Sequence, residues 1–192
     1  MNKRTGKHSL RIIGGNWRGR KVSFINREEI RPTPDRVRET LFNWLQGYIH
    51  GSRCLELYAG SGILSLEALS RGANKVVLID KMKRTIDHLS GVFSHFPVSQ
   101  AQFVLLNMAA RDWLDEEHDE KFDIVFIDPP FASNALNVIL EHLASSDLLN
   151  SGALVYIESA ALLPESSLPE QWEIHRQKKA GSVHYCLCRV II

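Results

Sequence analysis

Residues 53–80 read RCLELYAGSGILSLEALSRGANKVVLID, and the spacing of their apolar residues changes twice. RCLELYAG is a short apolar run closed by glycine, the pattern of a buried strand. SGILSLEALSRGA continues at helical spacing and stops at Gly72, a residue suited to a helix C-terminus. KVVLID is a second branched apolar run, and it ends on an acid. Strand, helix and strand in this order make a crossover unit, which joins two parallel strands.

The alternation continues toward the C-terminus. KRTIDHLSGVFSHF predicts a helix, QFVLLN a third strand and the residues around Trp113 a short acidic helix. FDIVFIDPP predicts a fourth strand, 134–145 a helix and ALVYIE a fifth strand. EIHRQKKAGSVHYCLCRVII reads as two strands about Gly181-Ser182, a terminal hairpin. The expected fold is α/β, a mostly parallel sheet with helices on both faces and an antiparallel terminal strand. Toward the N-terminus, RIIGGNWRGRKVSF predicts a small hairpin turning at Gly14-Gly15. Thr33 then stands as a helix N-cap with Pro34 at the first helical position. Val37, Leu41, Trp44, Leu45 and Tyr48 follow at helical spacing. Arg36 and Arg38 fall in that helix's first turn, where the dipole disfavours cations, which marks them as candidates for a functional role. Residues 1–34 are expected as a basic hairpin extension and 35–192 as the main domain.

At 192 residues, with 44% hydrophobic and 23% charged, the chain suits one domain of ordinary size with a short appendage. No run of about 18 apolar residues occurs, so no membrane-spanning helix is expected. MNKRTGKHSLRIIGG lacks the apolar stretch of a secretory signal, and a cytoplasmic protein is expected. Cys54, Cys186 and Cys188 cannot all pair with one another, and no CxxC or His pair completes a metal site. Reduced thiols and no metal are the expectation. Charge is segregated: residues 1–38 hold 11 Lys and Arg against three acids, while the other 154 hold 12 against 19. Such segregation implies a polyanionic partner for the basic segment, with nucleic acid the commonest one.

Two strand ends carry the chemistry. Gly60 and Gly62 permit a sharp turn and the close approach of a ligand, and the helix that follows offers unpaired N–H groups. Asp80, 18 residues beyond Gly62, suits the two hydroxyls of a ribose. These features fit either NAD(P) or S-adenosyl-L-methionine. A dinucleotide fingerprint wants a third small residue where Ser65 stands, and Glu56 beside an anionic pyrophosphate is repulsive. An acid there favours the ammonium and sulfonium of S-adenosyl-L-methionine. The Tyr-x-x-x-Lys or similar acid that hydride chemistry needs is not found. At the other strand end, KFDIVFIDPPFAS (121–133) stops on Asp128, Pro129, Pro130 and Phe131. Proline cannot donate to a sheet ladder, and the residue before it is pushed into extended backbone. Asp128 and a proline carbonyl can accept hydrogen bonds from an exocyclic amine while Phe131 stacks on the base that carries it. Accepting those hydrogens adds electron density as the amine nitrogen gains positive charge. Both stretches lie at the carboxyl ends of parallel strands, where such sheets bind ligands.

CLELYAGSGILSLEALSRGA, VVLID and DIVFIDPPF resemble the class I S-adenosylmethionine-dependent methyltransferases that act on exocyclic amines. With RIIGGNWRGRKV and RPTPDRVRETLFNWL in front, the chain resembles the bacterial 16S ribosomal RNA guanine-N2 methyltransferase family over about residues 10–190. The resemblance implies a Rossmann-like class I methyltransferase sheet and S-adenosyl-L-methionine as cofactor. It puts Glu56, Tyr58, Gly60 and Gly62 at the methionine end, Asp80 at the ribose, and Asn107 and Met108 beside the adenine. Many relatives carry Asp at the position of Glu56, Glu at that of Asp80 and an acid at that of Asn107. Asp128, Pro129, Pro130 and Phe131 are implied to hold the target amine, with Asp128 as acceptor. Arg11, Trp17, Arg18, Arg20, Lys21 and Arg36 are the candidate RNA contacts, with Trp17 open between contact and local packing. The implied partner is 16S ribosomal RNA in an assembling or assembled small subunit, met by a monomer. A DNA or RNA adenine-N6 methyltransferase shares the Asp-Pro-Pro-Phe chemistry, although the DNA enzymes usually need a target-recognition domain, for which 192 residues leave no obvious room. A non-enzymatic RNA-binding module of the same fold is the other alternative, and the intact acid and glycines argue against it.

Overall fold

The computed structural model describes residues 8–25, 33–130 and 135–191. Two short strands, β1 (His8–Arg11) and β2 (Lys21–Phe24), precede helix α1 (Asp35–Trp44). Then come β3 (Arg53–Leu57), α2 (Ile63–Ser70), β4 (Lys75–Ile79) and α3 (Lys83–Phe93). β5 (Phe103–Leu106), α4 (Ala110–Leu114), β6 (Phe122–Ile127) and α5 (Ala135–Ser145) continue the alternation. β7 (Leu149–Ser159), β8 (Trp172–Ala180) and β9 (Val183–Val190) complete it. No helix among the described residues is long and apolar enough to cross a membrane.

The central sheet has seven strands in the order β5-β4-β3-β6-β7-β9-β8. β3 to β7 pair in parallel, and β9 inserts between β7 and β8 antiparallel to both. Successive side chains of a strand point to opposite faces, so each central strand feeds two cores. Cys54, Ile124, Phe126, Leu154 and Tyr156 join the core that holds residues of α1, α2 and α3. Leu55, Val125, Ile127, Val155 and Ile157 join the one that holds residues of α4 and α5. This is the Rossmann-like α/β architecture read from the sequence. All of α2 is buried, which accounts for apolar residues on every side of it, and its polar residues Ser65, Glu67 and Ser70 are each hydrogen-bonded.

The basic segment is part of this packing. β1 and β2 pair antiparallel with Arg11 opposite Lys21, and Ile12, Trp17 and Val22 are buried in the first core. The connection differs from the predicted Gly-Gly turn, because it contains a 3-10 turn at Gly15–Trp17. A Cβ on Gly15 would lie 1.9 Å from the Ser70 carbonyl, so this glycine serves close approach to the end of α2. Thr33 does not cap α1: Pro34 holds the N-cap position, and the Thr33 hydroxyl donates to Glu158 at 2.7 Å. Instead of accepting a helix N–H as a cap would, the hydroxyl donates to a buried carboxylate, a charge-assisted bond.

Arg36 is exposed, whereas Arg38, two residues further along α1, is wholly buried. Its guanidinium binds Asp35 at 2.6 Å, Glu67 at 2.7 Å and the carbonyls of Arg11 and Thr33 at 3.0 and 3.3 Å. Glu67 also accepts the backbone N–H groups of Ile13 at 2.6 Å and Gly14 at 3.4 Å. One buried carboxylate on α2 therefore ties together α1 and the hairpin.

Candidate active site

Strand register brings the candidate residues to one edge. Glu56 on β3 stands opposite Leu78 on β4 and Phe126 on β6, and Phe126 stands opposite Tyr156 on β7. Two residues further along stand Asp80 just past β4, Asp128 just past β6 and Glu158 within β7, all at the carboxyl end of the parallel sheet, with Asp128 and Glu158 on neighbouring strands.

The loop after β3 is strained where a ligand would meet it. Tyr58, at φ 68°, is the one non-glycine residue with positive φ among those described. That conformation costs an ordinary residue roughly 1–2 kcal/mol. The glycines beside it have separate reasons. A Cβ on Gly60 would meet nothing closer than 3.8 Å, so the space over it is open. One on Gly62 would strike Leu89 at 2.6 Å, so that glycine lets the loop pack against α3. Gly62 is also the N-cap of α2 and brings no side-chain bond to it, which leaves first-turn N–H groups to a ligand.

The acids differ in how they are held. Ser65 donates to Glu56 Oε2 from its backbone N–H at 3.1 Å and from its hydroxyl. Among the described residues nothing donates to Glu56 Oε1. Asp80 accepts the Gly60 N–H at 3.1 Å and the Met82 N–H at 2.8 Å, one on each oxygen. Its carbonyl accepts the Asn107 side-chain amide at 3.1 Å and the Met108 N–H at 3.2 Å. Gly60, Asp80, Asn107 and Met108, four of the residues read as cofactor contacts, are thus joined by hydrogen bonds. Asp128 is half-buried, and among the described residues no group donates to its carboxylate. Pro129 beside it is buried, Pro130 is exposed, and Phe131 lies outside the described residues.

Burial makes these acids resist ionisation. Burial pushes Glu56 up to about 8, against the pull of the Ser65 hydrogen bonds. Burial and the nearby charges of Glu158 and Glu56 push Asp128 well above the usual carboxylate range. Glu158 is raised by burial, with Thr33 and Tyr156 bonding against it. Three carboxylates at one edge, with no ion pair to any of them among the described residues, make a place for a cationic ligand and for amine donors.

The candidate RNA contacts divide. Arg11, Arg18, Arg20, Lys21 and Arg36 are exposed. Arg20 and Trp17 line an open cavity of about 780 Å³ with His50, Asn74 and Gln102, residues that precede β3, β4 and β5. That cavity is at the sheet edge opposite Asp128. Arg20 lies 4.4 Å over the Phe96 ring and donates to the His95 carbonyl at 2.6 Å. Trp17 is a packing residue: it is 9% exposed, with its ring 5.0 Å from that of Phe96 and its backbone N–H bonded to Ser70. A base stacking on it would have to displace that core contact.

Sequence reasoning missed Glu67, Tyr156 and Glu158. Glu158 had a signal, since ALVYIE ends on an acid as VVLID and DIVFID do. Glu67 had a weaker one, as the lone charge inside an apolar helix. Tyr156 looks like any strand aromatic, and its 2.9 Å bond from the hydroxyl to Glu158 is visible in three dimensions only.

The family described as conserved hypothetical protein 95 matches residues 10–189. Ribosomal RNA small subunit methyltransferase D of Haemophilus influenzae is 41% identical over 94% of this chain and 94% of its own. The Escherichia coli protein of the same name is 40% identical over 95% of this chain and 91% of its own. A solved Escherichia coli structure, provisionally named as the methyltransferase yhhF, is 38% identical. It superposes with a TM-score of 0.85 over 96% of this chain and 99% of its own.

Proposed function

The chain belongs to the family described as conserved hypothetical protein 95, and from that premise we propose that it transfers a methyl group from S-adenosyl-L-methionine to the exocyclic N2 amine of a guanine in 16S ribosomal RNA. The observation that carries this reading is Asp128, a carboxylate without a described donor, on the same sheet edge as the Gly60 loop. The name shared by the similar curated proteins supports small-subunit ribosomal RNA as substrate. The resemblance of the N-terminal stretches supports guanine N2.

The residues present fit the methyl donor. Glu56, with one oxygen fixed by Ser65 and the other available, suits its ammonium; the open space over Gly60 admits its chain; Asp80 keeps lone pairs for ribose hydroxyls. Asn107 and Met108 stand where the adenine is expected. When bound, S-adenosyl-L-methionine supplies a methyl group on a positively charged sulfur. Asp128 accepts a hydrogen of the target amine and so orients its lone pair toward that methyl. The same carboxylate stabilises the charge that grows on nitrogen and lies ready to take the proton the amine must lose. Pro129 and Pro130 add no competing N–H at that point. Phe131 is assigned to stacking on the flipped base, and extracting that base costs a few kcal/mol that RNA binding elsewhere must offset.

The basic extension, residues 1–34, is assigned that binding together with Arg36 of α1, so that Arg11, Arg18, Arg20, Lys21 and Arg36 neutralise phosphates. The substrate is an assembling or assembled small subunit and the enzyme a monomer. Labelled S-adenosyl-L-methionine, small subunits lacking the modification and nucleoside mass spectrometry test the proposal together. Label in N2-methylguanosine is expected. Label in N6-methyladenosine would keep the class of enzyme and discard guanine, and the absence of transfer to any form of the subunit or its RNA would refute the activity.

A further inference from the structure

We propose that Glu158 selects guanine by accepting the ring N1–H while Asp128 accepts the neighbouring N2 amine, an assignment that rests on the guanine-N2 reading above. The two acids stand one residue past the paired Ile127 and Ile157 of β6 and β7. Adjacent parallel strands lie about 4.8 Å apart, and residues in register project on the same face. Phe126 and Tyr156, two residues before each acid, share a core, which identifies that face as the one Glu56 occupies. The charge of Glu158 is among the causes that raise Asp128, as proximity at this register produces.

Glu158 is 3% exposed, and its bonding is one-sided. Thr33 donates to Oε1 at 2.7 Å and Tyr156 donates to the same oxygen at 2.9 Å. Among the described residues nothing donates to Oε2. A structural role alone would be satisfied by spreading those donors over both oxygens; here one oxygen is anchored twice and the other is left for a ligand. Two acceptors side by side suit a base edge with two donors side by side. Guanine shows N1–H beside N2–H₂ there. Adenine and cytosine set a bare ring nitrogen beside their amine, which would turn a lone pair toward a carboxylate. Sites that leave a buried polar group facing the wrong partner discriminate strongly.

The anchoring predicts a specificity switch. In Glu158→Gln the amide oxygen is the atom that can accept from both Thr33 and Tyr156, so the amide NH₂ takes the place of Oε2. That group donates, and it matches a ring nitrogen without hydrogen. The test uses small subunits reconstituted with 16S ribosomal RNA whose target nucleotide is either guanine or 2-aminopurine, which keeps the amine and lacks N1–H. Wild type is expected to favour guanine by at least about tenfold, and Glu158→Gln to shift the ratio at least about tenfold toward 2-aminopurine, with S-adenosyl-L-methionine affinity kept. Equal losses on both substrates, with the ratio unmoved, would overturn the assignment and leave the guanine reading standing. Wild type labelling no guanine would sink the reading itself. Should the variant fail to bind S-adenosyl-L-methionine, the wild-type ratio decides: equal rates on the two substrates refute a role for N1–H, and a guanine preference supports one.

Discussion

Asp128 and Arg38 are both charged side chains in demanding surroundings, and they carry opposite kinds of prediction. Asp128 has no described donor and stands at a strand end, so its replacement leaves no buried partner stranded. Asp128→Ala is expected to lower kcat about 100- to 1,000-fold, the scale of losing one electrostatic interaction with a transition state, with the Kd of S-adenosyl-L-methionine unchanged. Single-turnover assays beside equilibrium dialysis measure the two separately; normal turnover would remove Asp128 from the mechanism. Arg38 instead answers the buried charge of Glu67 and the carbonyls of Arg11 and Thr33. Arg38→Met is expected to cost about 3–5 kcal/mol in urea unfolding, because Glu67 is left charged and buried. Adding Glu67→Met should recover only part of that loss, since it removes the stranded charge but leaves the Ile13 and Gly14 N–H groups without their acceptor.

Among elements, α2 joins the two halves of the function. Its first turn holds Glu56 through Ser65, its middle holds α1 and the hairpin through Glu67, and its last residue, Ser70, bonds Trp17 and the Gly14 carbonyl. The hairpin is thereby tied to α2, and the paired change Arg18→Glu with Lys21→Glu should act on RNA alone. The expectation is a raised KM for small subunits, a salt dependence of binding shallower by about 1 for each phosphate no longer neutralised, and no change in S-adenosyl-L-methionine affinity. An unchanged salt slope would show that the phosphates are held elsewhere. Much of this scale was legible in the sequence: the strand–helix alternation, the glycine turn, and the acids Glu56, Asp80 and Asp128 that end or precede their turns. Such features rest on periodicity and on residues whose local chemistry is constrained. Arg38 and Trp17 were not legible in the same way. A first-turn arginine and a tryptophan among arginines look alike whether they face solvent or a core. Which they do depends on Glu67 and Phe96, 29 and 79 residues further along the chain. Thr33 was misread as a cap for a similar reason, since its partner Glu158 is 125 residues away.

For the whole molecule, the clustered acids make stability and cofactor binding pull in opposite directions with pH. Glu56 is raised from an ordinary 4.5 to about 8 in the folded protein, and Asp128 and Glu158 are raised as well. Between those limits the folded chain holds protons that the unfolded chain has released. The contribution of Glu56 to stability is therefore fully present below about pH 4.5 and is lost as pH rises through about 8. A bound sulfonium and ammonium reverse the preference, because they favour the ionised carboxylates. Binding of S-adenosyl-L-methionine should accordingly release protons near neutral pH, and the Tm increase it produces should grow from about pH 6 to about pH 8. Calorimetry in buffers of different ionisation enthalpy measures the first effect, and thermal unfolding the second. Glu56→Gln separates this origin from every other titrating group. The glutamine oxygen still accepts from Ser65, but no charge appears at high pH. The variant should match wild type near about pH 5 and exceed its stability at about pH 8 by on the order of a few kcal/mol, while binding S-adenosyl-L-methionine more weakly. A variant no more stable than wild type at that higher pH would mean that Glu56 ionises there without strain, and that the cofactor's cations are not what this edge of the sheet is built to receive.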